Sequence, residues 1–371
     1  MSLIATRLQN LRISNPEFDR NMYRPQEYGA LDFFVTESNS PTGILSPELK
    51  EKAFASMGNT VEIPVIDYDG DVTVANVRSC TISDDENTSA LYTIVWTTLA
   101  VGFTMVPSLY LNNDISYQHD WNRKIEKVSR AMANALDDLA IAALEARKTQ
   151  VFEEELYYTI TGDSIQVPWD QREDILGDLN AMQRANDYPG QLHIIANAGV
   201  NAIVRKMAEK GLYNEVNKQL EYADKIFHFT NNIDNDEGKF ATFYAVPSGN
   251  VGVLTRVDRE SLLRSRYNNH EWDVVTMPYI NIPVGSHYYT TVGDSSEIAG
   301  DASADMTCVG KEHYGFSVDV CFLVAYNTDP TEIADPIMKG EIAKTESTSP
   351  NARPVYVVNT EDAPVYTSEV E

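Results

Sequence analysis

The stretch from Asp114 to Lys148 constrains the fold most, because it contains neither glycine nor proline. Apolar residues recur there every three or four positions, the spacing of one stripe on an α-helix: Tyr117, Trp121, Ile125, Val128, Met132, Leu136, Leu139 and Ala143. Charged residues are expected on the remaining helix surface: Asp120, Arg123, Lys124, Glu126, Lys127, Arg130, Asp137 and Asp138. We predict one helix, roughly 50 Å long at about 1.5 Å per residue. Taken alone, such a helix is most typical of an enzyme core.

Charge and composition exclude several classes of function. A chain of 371 residues can form one large or two moderate domains. Its 29 Lys and Arg against 55 Asp and Glu give a net charge of −26, which repels nucleic-acid phosphates and anionic membranes. No window approaches the roughly 20 apolar residues of a membrane span. Three separated cysteines without a CxxC pair indicate reduced thiols in an intracellular protein.

The chain before the long helix has three predicted parts. Residues 1–45 carry aromatic anchors such as Phe33 and Phe34 without periodicity, so we expect an extended arm on its own domain or on a neighbouring subunit. Ser46-Pro47-Glu48 is typical of a helix start and predicts a short helix over 46–58. Residues 59–108 are rich in β-branched residues around an Asp69-Gly70 turn, which predicts a projecting β-tongue.

The chain after the long helix alternates between helical and strand patterns. Helices are predicted at 170–185, 198–210 and 213–223, and a hairpin turn is predicted at Gly162-Asp163. Strands are predicted at 191–196, 226–230, 240–247, 251–255, 272–284, 286–291 and 314–326. Residues 340–371 are expected to form a tail with one β-type patch, Val355–Val358. The overall fold class expected is α+β.

No catalytic, cofactor-binding or metal site is predicted. The chain has no phosphate-binding loop, dinucleotide fingerprint, GxSxG elbow or HExxH pair. Six scattered histidines stand at positions 119, 193, 228, 270, 287 and 313, and His193 is expected to be a satisfied core histidine. The acidic run Asp234–Gly238 resembles part of a calcium loop but lacks the closing glutamate, so a solvated loop is favoured.

The order of these parts resembles the major capsid proteins of tailed bacteriophages with the Hong Kong 97-type fold. The stretches Val274–Ile280 and Tyr314–Asp319 are also similar in character to phage coat chains. The resemblance implies an N-terminal arm, an extended loop, a peripheral domain with the spine helix, and an axial α/β domain. The corresponding ranges are 1–45 (arm), 46–58 (short helix), 59–108 (extended β-loop), 109–185 (peripheral domain with spine helix 114–148), 186–310 (axial domain), 311–339 (return to the peripheral domain) and 340–371 (C-terminal tail).

The resemblance implies a structural protein, not an enzyme, that forms hexamers and pentamers of an icosahedral shell around double-stranded DNA. It would assemble in the host cytoplasm, with a separate scaffolding protein, a portal, weak contacts to DNA and no membrane. Residues 59–108 contain no lysine, so the Lys–Asn isopeptide cross-link of the archetype is not expected. An encapsulin-like or other phage assembly component remains an alternative, as does an enzyme with an acidic site.

Overall fold

The computed structural model describes residue 4 and the ranges 27–40, 47–55, 60–66, 89–110, 114–148, 158–185, 191–207, 221–222, 225–257, 270–293, 309–324 and 337–344. The helices are α1 (Gly29–Asn39), α2 (Pro47–Ala55), α3 (Asp114–Ala146), α4 (Ile175–Ala185) and α5 (Ala198–Met207). The first strands are β1 (Thr60–Ile66), β2 (Ser89–Val95), β3 (Thr97–Met105), β4 (Thr159–Thr161), β5 (Ser164–Val167), β6 (Leu192–Ala196) and β7 (Glu221–Tyr222). The others are β8 (Lys225–Phe229), β9 (Lys239–Pro247), β10 (Val251–Arg256), β11 (His270–Thr276), β12 (Pro283–Gly293), β13 (Val309–Val324) and β14 (Met338–Ala343).

These strands form three sheets, and the expected α+β class is confirmed. A two-stranded antiparallel ribbon pairs β1 with β2. A five-stranded antiparallel sheet is centred on the long strand β13, which pairs with β12 and β10 along one edge and with β3 along the other. A seven-stranded mixed sheet has the order β4-β5-β14-β9-β6-β8-β7.

The long helix is confirmed as the centre of the main core. Helix α3 buries Trp121, Ile125, Met132 and Leu136 against the five-stranded sheet, as the stripe predicts. On the sheet side, the ring of Phe103 stacks on Tyr314 with a centroid distance of 5.0 Å, in a cluster that includes Trp121. This interdigitation of large rings fixes the helix against the sheet, since aromatic pairs add to the free energy of apolar burial.

The prediction that residues 1–45 lie extended is wrong for the described part. Residues Gly29–Asn39 form helix α1, which is buried in the main core with Phe33 and Phe34 fully covered. The helix lies so close to β8 that a Cβ at Gly29 would stand 2.5 Å from the Phe229 carbonyl oxygen. Asp32, Thr36 and Asn39 form one narrow exposed stripe at helical spacing, and a stripe of only three polar residues is too weak a pattern to predict the helix from sequence.

The predicted β-tongue over 59–108 is too long at its C-terminal end. Strand β1 pairs with β2 as a ribbon, but Thr97–Met105 belongs to the five-stranded sheet as β3. The predicted turn at Asp69-Gly70 and return strand 72–77 lie outside the described residues. β3 is part of the body because its apolar residues alternate with small or polar ones and meet the Tyr314 face of β13.

The predicted tail does not begin at residue 340. Strand β14 lies inside the seven-stranded sheet, parallel to β5 and antiparallel to β9. The Phe243 ring fills the space where a Cβ at Gly340 would stand, so this strand is fully integrated. The patch Val355–Val358 lies outside the described residues.

Sheet membership also differs from the expected grouping. The hairpin β4–β5, with its predicted turn at Gly162-Asp163 in left-handed conformation, joins the seven-stranded sheet and not the layer of the long helix. Strands β10, β11 and β12 join the five-stranded sheet, whereas the resemblance implies one axial domain over 186–310. Residues 221–222 form β7 instead of continuing the predicted helix 213–223. Sheet pairing joins residues that are distant along the chain, so periodicity does not determine it.

Candidate assembly surface

The ribbon of β1 and β2 joins neither of the two larger sheets in the described part of the chain. Seven register pairs run from Thr60↔Val95 to Ile66↔Ser89, and no described strand outside the ribbon pairs with either member. At about 3.3 Å per residue the paired part is roughly 23 Å long. An isolated two-stranded hairpin is at best marginally stable in water. The pairing of these two strands would therefore not by itself stabilise the ribbon.

The base of the ribbon is anchored by a small apolar cluster. Ile94 is fully buried there with Ala53, Leu254 and Leu323, whereas the neighbouring Val95 is 64% exposed. Beside Val95 lies an open groove of about 280 Å³, lined mainly by the ribbon base, helix α3 and strand β13. The base is thus fixed to the body at Ile94, while the side chain of Val95 exposes apolar surface to solvent.

Helix α1 is held to the long helix by a buried carboxylate. Asp137 is 0% exposed, although the sequence placed it on the polar surface of α3. Its Oδ1 accepts a hydrogen bond of 2.9 Å from the backbone N–H of Leu31, and its Oδ2 accepts one from the Thr230 hydroxyl. Burial raises the pKa of Asp137, and these hydrogen bonds oppose that shift. Asp137 serves as the cap of α1, since Tyr28 at the N-cap position makes no side-chain capping bond.

The other end of α1 is held by a second buried carboxylate beside two histidines. Glu37 accepts a hydrogen bond of 2.7 Å from the backbone N–H of Gly249, and its Oε1 lies 3.6 Å from His193 Nε2. His193 Nδ1 lies 3.0 Å from His228 Nε2, and the Phe33 ring packs against both imidazoles. The two histidines therefore form a satisfied pair in the core, as expected for His193.

This histidine pair predicts a loss of stability in acid. Burial lowers the pKa of His193, and burial together with His193 lowers the pKa of His228 to about 4. A depressed histidine pKa means that the unfolded chain takes up the proton first. The contribution of the neutral histidine pair to the free energy of unfolding is therefore fully present above about pH 6.5. It is lost as the pH falls towards 4. We expect His228→Gln to reduce the fall in free energy of unfolding between pH 7 and pH 4.5, measured by urea titration.

The exposed His119 on α3 provides the matched control for this acid loss. His119→Gln leaves the contacts among Glu37, His193 and His228 in place, so the loss of stability in acid should remain. Equal pH dependence in the original chain and in His228→Gln would contradict the assignment.

A second group of rings lies on the face of the five-stranded sheet that points away from α3. These half-exposed rings stack across neighbouring strands: His270, Trp272, His287, Tyr289 and His313. Trp272 and His287 stack with a centroid distance of 3.6 Å, and His270 Nδ1 lies 2.7 Å from His287 Nε2. Burial and His270 lower the pKa of His287 to about 4. The rings stand face to face and stabilise the strand register, as cross-strand aromatic pairs do.

The acidic run Asp234–Gly238, considered for calcium, is tied to residues outside it by the side chain of Asn235. Asn235 Oδ1 accepts hydrogen bonds from Asn197 Nδ2 at 2.6 Å and Thr242 Oγ1 at 3.1 Å, and its Nδ2 donates to the Phe240 carbonyl. Asn235 therefore fixes a turn before β9. No group of three or more acidic, histidine or cysteine residues within the described ranges is arranged to hold a metal ion. No described helix is long and apolar enough to span a membrane.

Sequence reasoning missed the two carboxylates that hold α1. Asp137 and Glu37 look like ordinary surface residues in the sequence, and only their burial reveals what they do. The pairing of four histidines into two contacts, His193 with His228 and His270 with His287, was also missed, because each contact joins neighbouring strands. In the sequence, Asp137 lies directly next to the stripe residue Leu136. The position of one residue is too weak a signal to predict that its side chain is buried.

Comparison with known proteins gives matches among solved structures. No protein-family model and no curated protein matches the chain. The chain is similar to the capsid of Ralstonia phage GP4, with 10% identity, a TM-score of 0.45 and coverage of 88% of this chain and 93% of that one. It is similar to a chain of Mycobacterium phage Cain, with 10% identity, a TM-score of 0.44 and coverage of 90% and 97%. It is also similar to the capsid of cyanophage P-SCSP1u, with 10% identity, a TM-score of 0.41 and coverage of 78% and 84%.

Proposed function

We propose that this chain is the major capsid protein of a tailed bacteriophage, a structural subunit that assembles into an icosahedral shell around double-stranded DNA. The observation that carries the proposal is the β1–β2 ribbon, which is anchored at its base and joins no larger sheet of the described residues. A subunit with such an element needs neighbours to cover it, and a closed lattice supplies them at every position.

The body of the subunit suits repeated assembly. Helix α3 runs through the main core and contacts the five-stranded sheet, while α1 links it to the seven-stranded sheet. In the Hong Kong 97-type arrangement that we propose, α3 with the five-stranded sheet is the peripheral part and the seven-stranded sheet is the axial part. A rigid body with a projecting ribbon can form the same contacts in hexamers and pentamers, and many modest contacts together stabilise a shell.

Charge supports a container in preference to a nucleic-acid-binding protein. The net charge of −26 disfavours tight binding of the phosphate backbone. An acidic inner wall would let packaged DNA slide along the protein during filling. A separate scaffolding protein and a portal belong to the same proposal, with assembly in the host cytoplasm.

The proposal assigns no catalytic role. An enzyme with an acidic site would need carboxylates that converge in one cavity with raised pKa values. The described groove of about 660 Å³ between α1, α2 and β10 has Lys50 and Glu51 as its ionisable lining residues. Asp137 is a fully buried carboxylate whose pKa is raised, and it accepts a hydrogen bond that caps α1.

Negative-stain electron microscopy of the purified chain, with light scattering alongside, tests the proposal. We expect closed shells or rings of six and five subunits, alone or with a co-expressed scaffolding protein. If the chain stayed a well-folded monomer and formed no particles under either condition, the proposed function would be overturned.

A further inference from the structure

The ribbon passes into the body of the subunit at a single residue. Strand β2 ends at Val95 and β3 begins at Thr97, so Trp96 alone separates them. Before Trp96 the chain pairs with β1, and after it the chain pairs with β13. Among the described strands no pairing runs across Trp96. Backbone pairing of the described strands therefore does not determine the direction in which the ribbon leaves the body.

Four side chains at this junction form a clamp: Trp96, Thr98, Arg256 and Asp319. The guanidinium carbon of Arg256 lies over the Trp96 ring, 4.7 Å from its centroid. The Nε and Nη2 atoms of Arg256 donate hydrogen bonds to Asp319 Oδ2 at 3.1 and 2.9 Å. The other oxygen of this carboxylate, Oδ1, accepts a hydrogen bond of 2.7 Å from the Thr98 hydroxyl. The clamp thus connects the junction residue to β10, β13 and the start of β3.

The charged pair of the clamp is largely shielded from water. The side chains of Arg256 and Asp319 are only 10% and 14% exposed. Low exposure strengthens both the attraction of the two charges and the attraction of a cation to a ring. The carboxylate holds the guanidinium in place through two hydrogen bonds, and the guanidinium in turn contacts the ring of the junction residue. The charged pair therefore restrains the position of Trp96.

The Trp96 ring has few other polar restraints. Its Nε1 atom is buried, yet no acceptor for it lies in the described part of the chain. The ring packs against the apolar cluster at the base of the ribbon, which contains Ile94 and Leu254. Apolar packing is non-directional, whereas a hydrogen bond would fix the orientation of the ring. Within the described residues, the Arg256 guanidinium is therefore the polar group that opposes a tilt of the ring.

We propose that the ribbon pivots at Trp96 and that the pair of Arg256 and Asp319 restricts this pivot to one direction. The ribbon is long, so a tilt of about 10° at its base moves its far end by roughly 4 Å. The consequence for assembly rests on the proposed function. Rings of five and six subunits place the neighbour at different angles, so the direction of the ribbon determines which part of that neighbour it reaches.

The distance between two spin labels, measured by pulsed electron paramagnetic resonance on the monomeric full chain, tests the clamp. One label stands at Glu62, which is exposed on β1, and the other at Thr290, which is exposed on β12. Both positions carry p-acetylphenylalanine as the attachment residue, so the three native cysteines remain unchanged. We expect one narrow distance distribution in the chain with the intact clamp, because the ribbon then has a single direction.

Two variants of the clamp and one matched control are compared. Arg256→Met removes the guanidinium but keeps an unbranched side chain, and Asp319→Asn removes the carboxylate charge but keeps the shape. We expect each to widen the distance distribution about twofold, because the Trp96 ring loses its restraint. Arg172→Met is the control, since the Arg172 guanidinium lies 4.5 Å from the centroid of Trp169, in the core of the seven-stranded sheet. This variant should leave the distribution narrow.

Circular dichroism shows which variants are folded, and either folded clamp variant is sufficient for the comparison. A distribution equally narrow in the intact chain and in a folded clamp variant would overturn the proposal. A broad distribution in the intact chain would overturn it as well, whatever the variants do. The measurement requires no particles, so its failure is distinguishable from a failure of the proposed function.

Discussion

Shortening the β1–β2 ribbon should abolish particle formation while leaving the subunit folded. The sharpest variant removes residues 62–93 and joins Val61 to Ile94, a register pair, through Asn-Gly. A two-residue Asn-Gly connection closes an antiparallel pair without strain. Ile94 keeps its buried place at the base, and β3 remains whole in the five-stranded sheet. Electron microscopy should show no closed shells under conditions in which the original chain forms them.

The position of the cut determines whether this experiment is informative. A deletion of 62–104, which the predicted tongue suggests, would also remove β3 and with it one side of the β13 pairing. That variant should fail to fold. The 62–93 variant should melt within a few degrees of the original chain by circular dichroism. Normal shells from this folded variant would contradict the role given to the ribbon.

Asp137→Ala should be among the most destabilising single substitutions in the described part of the chain. It leaves the buried Leu31 N–H and the Thr230 hydroxyl hydrogen without the acceptor that Asp137 provides. Loss of a helix cap together with buried unsatisfied donors costs on the order of 3 kcal/mol. Urea unfolding of the subunit should show this as a lower midpoint at unchanged slope.

The adjacent Asp138 provides the control, since it is exposed on the same turn of α3. Asp138→Ala should change the free energy of unfolding by no more than about 0.5 kcal/mol, as is usual for surface positions. If the two alanine variants were equally stable, the capping role of Asp137 would be wrong.

The candidate assembly surface was predictable in outline. A β-rich stretch before a long helix predicted strands outside the main sheets, and β1 and β2 pair only with each other among the described strands. Its limits were not predictable, because Thr97–Met105 has the same β-branched composition as the ribbon. Only the pairing with β13 distinguishes a strand of the body from a strand of the ribbon.

Helix α3 and its buried stripe can be predicted from local sequence alone, because a periodicity of 3.6 sustained over many turns is a local property. The same holds for the hairpin turn at Gly162-Asp163, where the backbone needs positive φ at both residues. The buried helix Gly29–Asn39 depends on long-range contacts, since Asp137 supplies its cap from a distant part of the chain. The position of β14 between β5 and β9 also depends on long-range contacts. Contacts of this kind join residues far apart in sequence and leave no local pattern.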